Sequence, residues 1–178
     1  KVLRDASAKD AEKAIALAGV LHRGGDIHQP LRTSARVTEL EPKGDQGGNL
    51  FLLTPKDTPR GESRNLHSYW DSIPGQVLAR SNMADDQYIP LLGEMMMRKY
   101  PAEEMQNRLK LGDFREWQQE GVKLSMTEVF SPDLIRFETP SAKYRRKAFQ
   151  LSEEQLTLAG YRLGAMLNQI FGEQPAVK

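Results

Sequence analysis

Apolar residues near the end of the chain fall on one helical face. Leu156, Ala159, Leu163, Met166, Leu167 and Ile170 recur three or four positions apart and predict a helix over Ser152–Phe171. Ser152 with Gln155 reads as a capping box, and Gly172 as the C-cap. The same period returns at the start. Ala11, Ala14, Ile15, Ala18 and Leu21 predict a helix between Ser7 and Ile27, with Ser7 or Asp5 as N-cap and Pro30 as the stop. Near its end Gly24 and Gly25 each cost about 1 kcal/mol relative to alanine, which points to a close approach of something to that backbone. Further helices are expected over Asp85–Lys99 with Pro90 in its early part, over Pro101–Lys110 and over Asp113–Phe130. A short one begins at the N-cap Asn65, runs through Ile73 and is closed by Pro74 and Gly75. Ser131–Ala142, with Pro132 and Pro140, reads as a loop, followed by a basic turn at Lys143–Lys147. Residues 33–64 break the helical period with four prolines and glycines before Asn49 and three more after it, and read as a loop excursion. Within it Ala35–Leu40 and Asn49–Thr54 carry enough β-formers to pair as a short hairpin. The fold class is predominantly α.

Composition narrows this to one core. A chain of 178 residues suits a single domain, and 39% hydrophobic with 28% charged residues is a globular balance under a polar surface, mean hydropathy −0.59. A formal charge of +1 supplies no broad basic field, so any phosphate recognition must be local. With no cysteine, thiolate metal sites and disulfides are excluded, and only His, Asp, Glu and backbone groups remain as metal ligands. No apolar run approaches the roughly 20 residues that span a bilayer, and the opening K-V-L-R-D-A lacks a signal peptide's apolar core. The expectation is a soluble chain without a membrane partner, cytosolic or already processed.

Two of the three histidines have an aspartate four residues on. His22 with Asp26, and His67 with Asp71, each share a helix face and form a two-ligand edge for a metal. The bland alternative is a pair of ordinary hydrogen-bonded contacts in a structural domain, and then the two pairs should point apart. Other features read as structure. Met95, Met96 and Met97 are expected as core filler, Tyr69 and Trp70 as core aromatics, and Lys143, Arg145, Arg146 and Lys147 as a solvated turn rather than a nucleic-acid patch. Gly47, Gly48 and Asn49 shape a loop in which Asn49 is placed to support a ligand.

In order and spacing, H-R-G-G-D-I-H-Q-P-L from His22, D-Q-G-G-N from Asp45 and N-L-H-S-Y-W-D from Asn65 resemble the signature of the S1/P1 nucleases. These are zinc-dependent, single-strand-specific enzymes that share a fold with bacterial phospholipase C. Trp117 with Glu120 and Ser125 before Val129-Phe130 is similar to the family's late helix, and A-G-Y-R-L-G-A-M-L-N from Ala159 to its last. The resemblance implies a helical phospholipase C/nuclease-like domain of which residues 1–178 form the C-terminal part, the N-terminal part being missing from this chain. It implies up to three zinc ions, phosphodiester hydrolysis in single-stranded DNA or RNA, a related 3′-nucleotidase activity on nucleotides, and a secreted or periplasmic location. By motif position His22 resembles a ligand of the first zinc, Asp26 the catalytic carboxylate bridging the first and third, and His67 and Asp71 two ligands of the second.

The match departs from the family in two places. The family's motif ends Q-P-L-H with a zinc-binding histidine, where this chain has Arg32, and a guanidinium has no lone pair for a metal. Arg32 is free to pair with Asp71 or to bind a substrate phosphate bidentately, and His28 is the alternative ligand nearby. The family's N-terminal tryptophan and early histidines are also absent, and Asp5 and Asp10 match none of the missing ligands. A zinc-dependent nuclease and a degenerate, non-catalytic phosphate- or nucleic-acid-binding relative therefore both stand as readings.

Overall fold

The computed structural model describes residues 1–76 and 83–172. Helices α1 (Asp10–Asp26), α2 (Leu66–Ser72), α3 (Asp85–Lys99), α4 (Ala102–Met105), α5 (Phe114–Leu124) and α6 (Ala142–Phe171) follow one another, with 3-10 turns at Pro30–Arg32, Ile73–Gln76 and Gln106–Arg108. Among the described residues there is no strand, only a lone antiparallel bridge between Leu52 and Asn65. The protein is predominantly α, as its apolar period implies.

The expected hairpin does not form. Positive φ at Gly44, Gln46, Gly47 and Gly48, of 90°, 55°, 62° and 82°, turns the chain between the two expected strands. Residues 51–53 then pair with 64–66 instead, the Leu53 N–H donating to the Arg64 carbonyl at 2.8 Å and the Leu66 N–H to the Phe51 carbonyl at 2.9 Å. The Asp45 carboxylate meanwhile accepts the Arg36 N–H at 2.9 Å, a bond that a strand neighbour would otherwise make. At the N-terminus Asp5 closes its own turn by accepting from the Ser7 N–H at 2.9 Å, and the Lys9 N–H donates to the Glu12 carboxylate at 3.0 Å, so α1 starts later than its first polar cap residues suggest.

The largest difference is α6. Lys143–Lys147 is not a turn but the opening of a 30-residue helix capped by Ser141, whose hydroxyl accepts from the Tyr144 N–H at 3.1 Å. Ser152 and Gln155, read as a capping box, are buried inside that helix. Tyr144 and Ala148, four apart and both buried, continue the apolar face backward, and no breaker interrupts it. The expected Pro101–Lys110 helix is shorter, α4 followed by a 3-10 turn. The Asp113–Phe130 helix divides into α5, capped by Asp113, and a π-helical turn at Ser125–Val129.

Helix α6 is the spine, against which α1, α3 and the 3-10 turn after α2 pack. The core of Leu31, Phe51, Leu66, Trp70, Ile73, Val129, Tyr144 and Ala148 lies beside it. Each large apolar side chain so buried contributes about 1.5–3 kcal/mol. Trp70 Nε1 donates to the Tyr144 hydroxyl at 3.0 Å, which donates to the Val129 carbonyl at 2.8 Å, tying α2, α6 and the π turn together. The close approach expected at the glycine pair is realised at Gly24, where an added Cβ would touch Leu163 at 3.5 Å; Gly25 faces open space. Of the three consecutive methionines only Met96 is core, since Met95 and Met97 are exposed.

Candidate functional site

The last turn of α1 and one edge of α2 face each other across the 3-10 turn Pro30–Arg32. Their relative position depends on the glycine loop. An added Cβ at Gly47 would lie 2.4 Å from the Leu31 carbonyl oxygen, so only glycine lets the loop press this close. Asn65 caps α2 by accepting the Ser68 N–H at 2.8 Å, and the helix then carries His67 and Asp71 on adjacent turns of the edge facing α1.

Both His–Asp pairs form, and they converge. His22 Nε2 lies 3.3 Å from Asp26 Oδ2, and His67 Nε2 lies 3.4 Å from Asp71 Oδ2. Arg32 joins them: Nη1 is 3.4 Å from Asp26 Oδ1 and Nη2 donates to Asp71 Oδ2 at 3.0 Å. The arrangement a purely structural domain would give, two pairs pointing apart, is therefore absent. Of the two roles open to Arg32, the pairing with Asp71 is realised and extends to Asp26. A guanidinium has five N–H donors, so this bridge leaves others for a further partner. Arg23, Asp26, Arg32, Gln46, His67 and Gln118 line a cleft of about 650 Å³ at this point.

His67 Nδ1 bonds the Gly47 carbonyl at 2.8 Å, which turns Nε2 toward Asp71 as the face with the free lone pair. Metal-binding imidazoles are commonly oriented in this way. The support comes from the Gly47 backbone rather than from Asn49, which is exposed and donates from Nδ2 to the Gln46 carbonyl at 2.8 Å. Gln29, which residue-type reasoning passed over, donates to Asp71 Oδ1 at 3.0 Å. Its place inside the H-Q-P-L segment was the available signal.

His28 belongs elsewhere. Its ring is 4% exposed, Nδ1 bonds the Gly24 carbonyl at 2.8 Å, and Nε2 lies 3.0 Å from Arg162 Nη1. A guanidinium only donates, so Nε2 accepts and the proton sits on Nδ1. Burial pushes this imidazole down to about 4, and the Arg162 charge acts in the same direction against the Gly24 bond. With both nitrogens occupied, His28 is no substitute metal ligand. Arg162 itself is fully buried, donates from Nε to the Leu109 carbonyl at 3.1 Å and from Nη2 to Glu120 Oε1 at 2.9 Å, and stacks over Trp117 at 4.8 Å.

The donors in the cleft suit zinc in kind, being imidazoles and carboxylates. They do not suffice in number: among the described residues no group of three His, Asp or Glu side chains is close enough to hold a metal ion. At the α2 edge Arg32 already supplies the positive charge that Asp71 would otherwise receive from a metal.

The family model for S1/P1 nuclease matches residues 1–172. No curated protein matches the chain. Among the described residues no helix is long and apolar enough to cross a membrane.

Proposed function

We propose, since the chain belongs to the S1/P1 nuclease family, that the cleft between α1 and α2 engages the phosphodiester backbone of single-stranded DNA or RNA. It is the seat of zinc-dependent hydrolysis, with 3′-nucleotidase action as the related activity. The observation that carries this reading is that one member of each pair, Asp26 and His67, lines one cleft, while Arg32 joins the two carboxylates Asp26 and Asp71. His22 and Asp26 are the residues that would hold the ion, which needs further donors beyond these two. A bound zinc would supply a hydroxide near neutral pH and stabilise a leaving oxygen. The chain's own residues bind and orient: Arg32 offers a fixed cation to a phosphate, and Gln29 and Gly47 hold Asp71 and His67 in place.

A second reading has a specific observation in its favour. Because Arg32 lies between the two carboxylates, the cleft can work as a metal-free phosphate-binding site that no longer cleaves. Zinc titration by calorimetry, followed by hydrolysis of a single-stranded oligonucleotide, separates the two. For the nuclease, Asp26→Asn lowers zinc uptake and abolishes cleavage, and Arg32→His adds a zinc equivalent and raises the rate. If neither the natural chain nor Arg32→His shows zinc-dependent cleavage, the catalytic reading fails. The binding reading is then sustained by oligonucleotide affinity that survives chelation and drops in Arg32→Gln.

A further inference from the structure

The basic segment at the start of α6 is sorted by its helical geometry. Lys143 pairs with Asp133 at 2.9 Å and Lys147 with Glu128 at 3.7 Å, while Tyr144 turns into the core. Arg145 and Arg146 point elsewhere, and neither forms an ion pair or side-chain hydrogen bond with any described residue. Arg64, at the foot of α2, is equally without a carboxylate partner among them. These cations are not scattered. Arg64 and Arg145 line a depression of about 690 Å³ together with Ser68, Tyr69 and Ser72, and Arg145 also borders a second of about 670 Å³ with Arg146 and Phe149. Arg145 is common to the two depressions.

Two aromatic rings accompany the arginines. Tyr69 and Phe149 are both half-buried, with part of each ring open to solvent. The Tyr69 hydroxyl has no hydrogen-bond partner among the described residues, and burial raises its pKa while the nearby Arg145 charge opposes the rise. The hydroxyls of Ser68 and Ser72 already donate to helix carbonyls, at 3.0 Å and 2.8 Å, so the charged donors left for an anion here are the guanidiniums, with the Tyr69 hydroxyl beside them. Unpaired arginines beside partly exposed aromatics, along an open groove, are the elements that hold a single strand: cations follow the phosphates and rings stack with bases. The whole chain carries a formal charge of only +1, so this concentration of arginines is local.

The groove and the cleft lie on different sides of α2. Successive residues on a helix are 100° apart, so His67 and Asp71 lie on one edge, Ser68 and Ser72 on the next, and Tyr69 on the side opposite the cleft. We propose that Arg64, Arg145 and Arg146, with Tyr69 and Phe149, form an extended binding groove for the backbone of a single-stranded oligonucleotide whose continuation enters the cleft over α2. It rests on the reading of that cleft as a phosphodiester site. It makes the chain a binder of strands rather than of mononucleotides alone.

Fluorescence anisotropy with a labelled oligothymidylate, in EDTA so that nothing is cleaved, tests it on the full chain. Arg145→Gln/Arg146→Gln lowers affinity about tenfold and makes the dependence on log salt shallower by about one per arginine removed. Lys143→Gln/Lys147→Gln removes the same charge from the paired face and leaves affinity within about twofold. Arg64→Gln, on the opposite wall, repeats the first effect if the α6 variant loses its thermal midpoint. Thymidine 3′-monophosphate competes poorly, and duplex DNA less well than single strands. Equal losses in the arginine and lysine variants, or none in either, overturn the groove. A loss in Arg32→Gln with no loss in the groove variants overturns the groove alone and leaves the cleft reading standing. The reverse pattern sustains the groove while overturning the cleft, and an absence of oligonucleotide binding overturns both.

Discussion

Two histidines six residues apart in one motif end in opposite surroundings. His22, on the exposed face of α1, has a side chain 76% accessible and lies 3.3 Å from Asp26. His28 is 4% exposed and held at both nitrogens by Gly24 and Arg162. Each lies near an arginine, yet the two arginines do different things. Arg32 bridges two carboxylates at an open cleft, whereas Arg162 is buried and gathers a carboxylate, an imidazole and backbone carbonyls around Trp117. Exposure decides the chemistry. The first imidazole is accessible to a metal or phosphate, and the second is a fixed neutral acceptor inside the fold.

The strongest way to break this contrast is to remove Arg162. Arg162→Ala removes the donor from Glu120, from His28 Nε2 and from the Arg108 carbonyl at once, and one of two donors from the Leu109 carbonyl. Truncating one member of a buried charged cluster costs about 3–5 kcal/mol. Urea unfolding should show that loss, and a cost below about 1 kcal/mol would mean the cluster is not structural.

Next in size is a pH effect confined to the buried histidine. The folded pKa of His28, about 4, lies below the ordinary 6.5, so the unfolded chain takes up a proton first as pH falls. Stability is therefore full above pH 6.5 and declines toward pH 4, by about 3 kcal/mol from this group. Arg162, Arg108 and Glu120 all face the ring and contribute to the slope. His28→Gln should flatten the curve over that window, measured by denaturation at a series of pH values. An unchanged slope would place the proton uptake on another group.

The exposed and buried halves of the motif were not equally legible. Spacing alone put His22 with Asp26 and His67 with Asp71, because an i, i+4 pair needs only a helix beneath it. Arg32's place followed from its chemistry, since a cation among carboxylates pairs with them. His28 was not legible in the same way. Its fate depends on Arg162, 134 residues on, and no local pattern announces a contact of that range. The true start of α6 was hidden by a basic surface over a buried Tyr144 and Ala148, and the support of His67 by a backbone carbonyl left no side-chain signature.

That carbonyl supplies a smaller test, directed at the cleft. Gly47→Ala puts a Cβ within 2.4 Å of the Leu31 carbonyl oxygen at a φ of 62°. The backbone has to move, at a cost of about 1–3 kcal/mol. The distinguishing readout is His67, whose ring loses its anchor: its ring NMR resonances should move at fixed pH, while those of His28 stay where they are. Movement of both would mean the two regions are coupled.

The smallest expected effect on stability belongs to Arg32, although it sits at the centre of the site. Both of its carboxylate partners are at least one-third exposed, at 33% and 36%, so solvent screens the bridge and Arg32→Gln should change the unfolding free energy by no more than about 1 kcal/mol. Removing the cation leaves Asp26 and Asp71, the two carboxylates it bridges, without that counter-charge. Affinity for a divalent ion should then rise even as affinity for phosphate falls. Calorimetry with zinc and with inorganic phosphate on one variant reads both signs. If zinc and phosphate binding weaken together, Arg32 orders the cleft as a whole and is not a charge standing where a metal would otherwise be held.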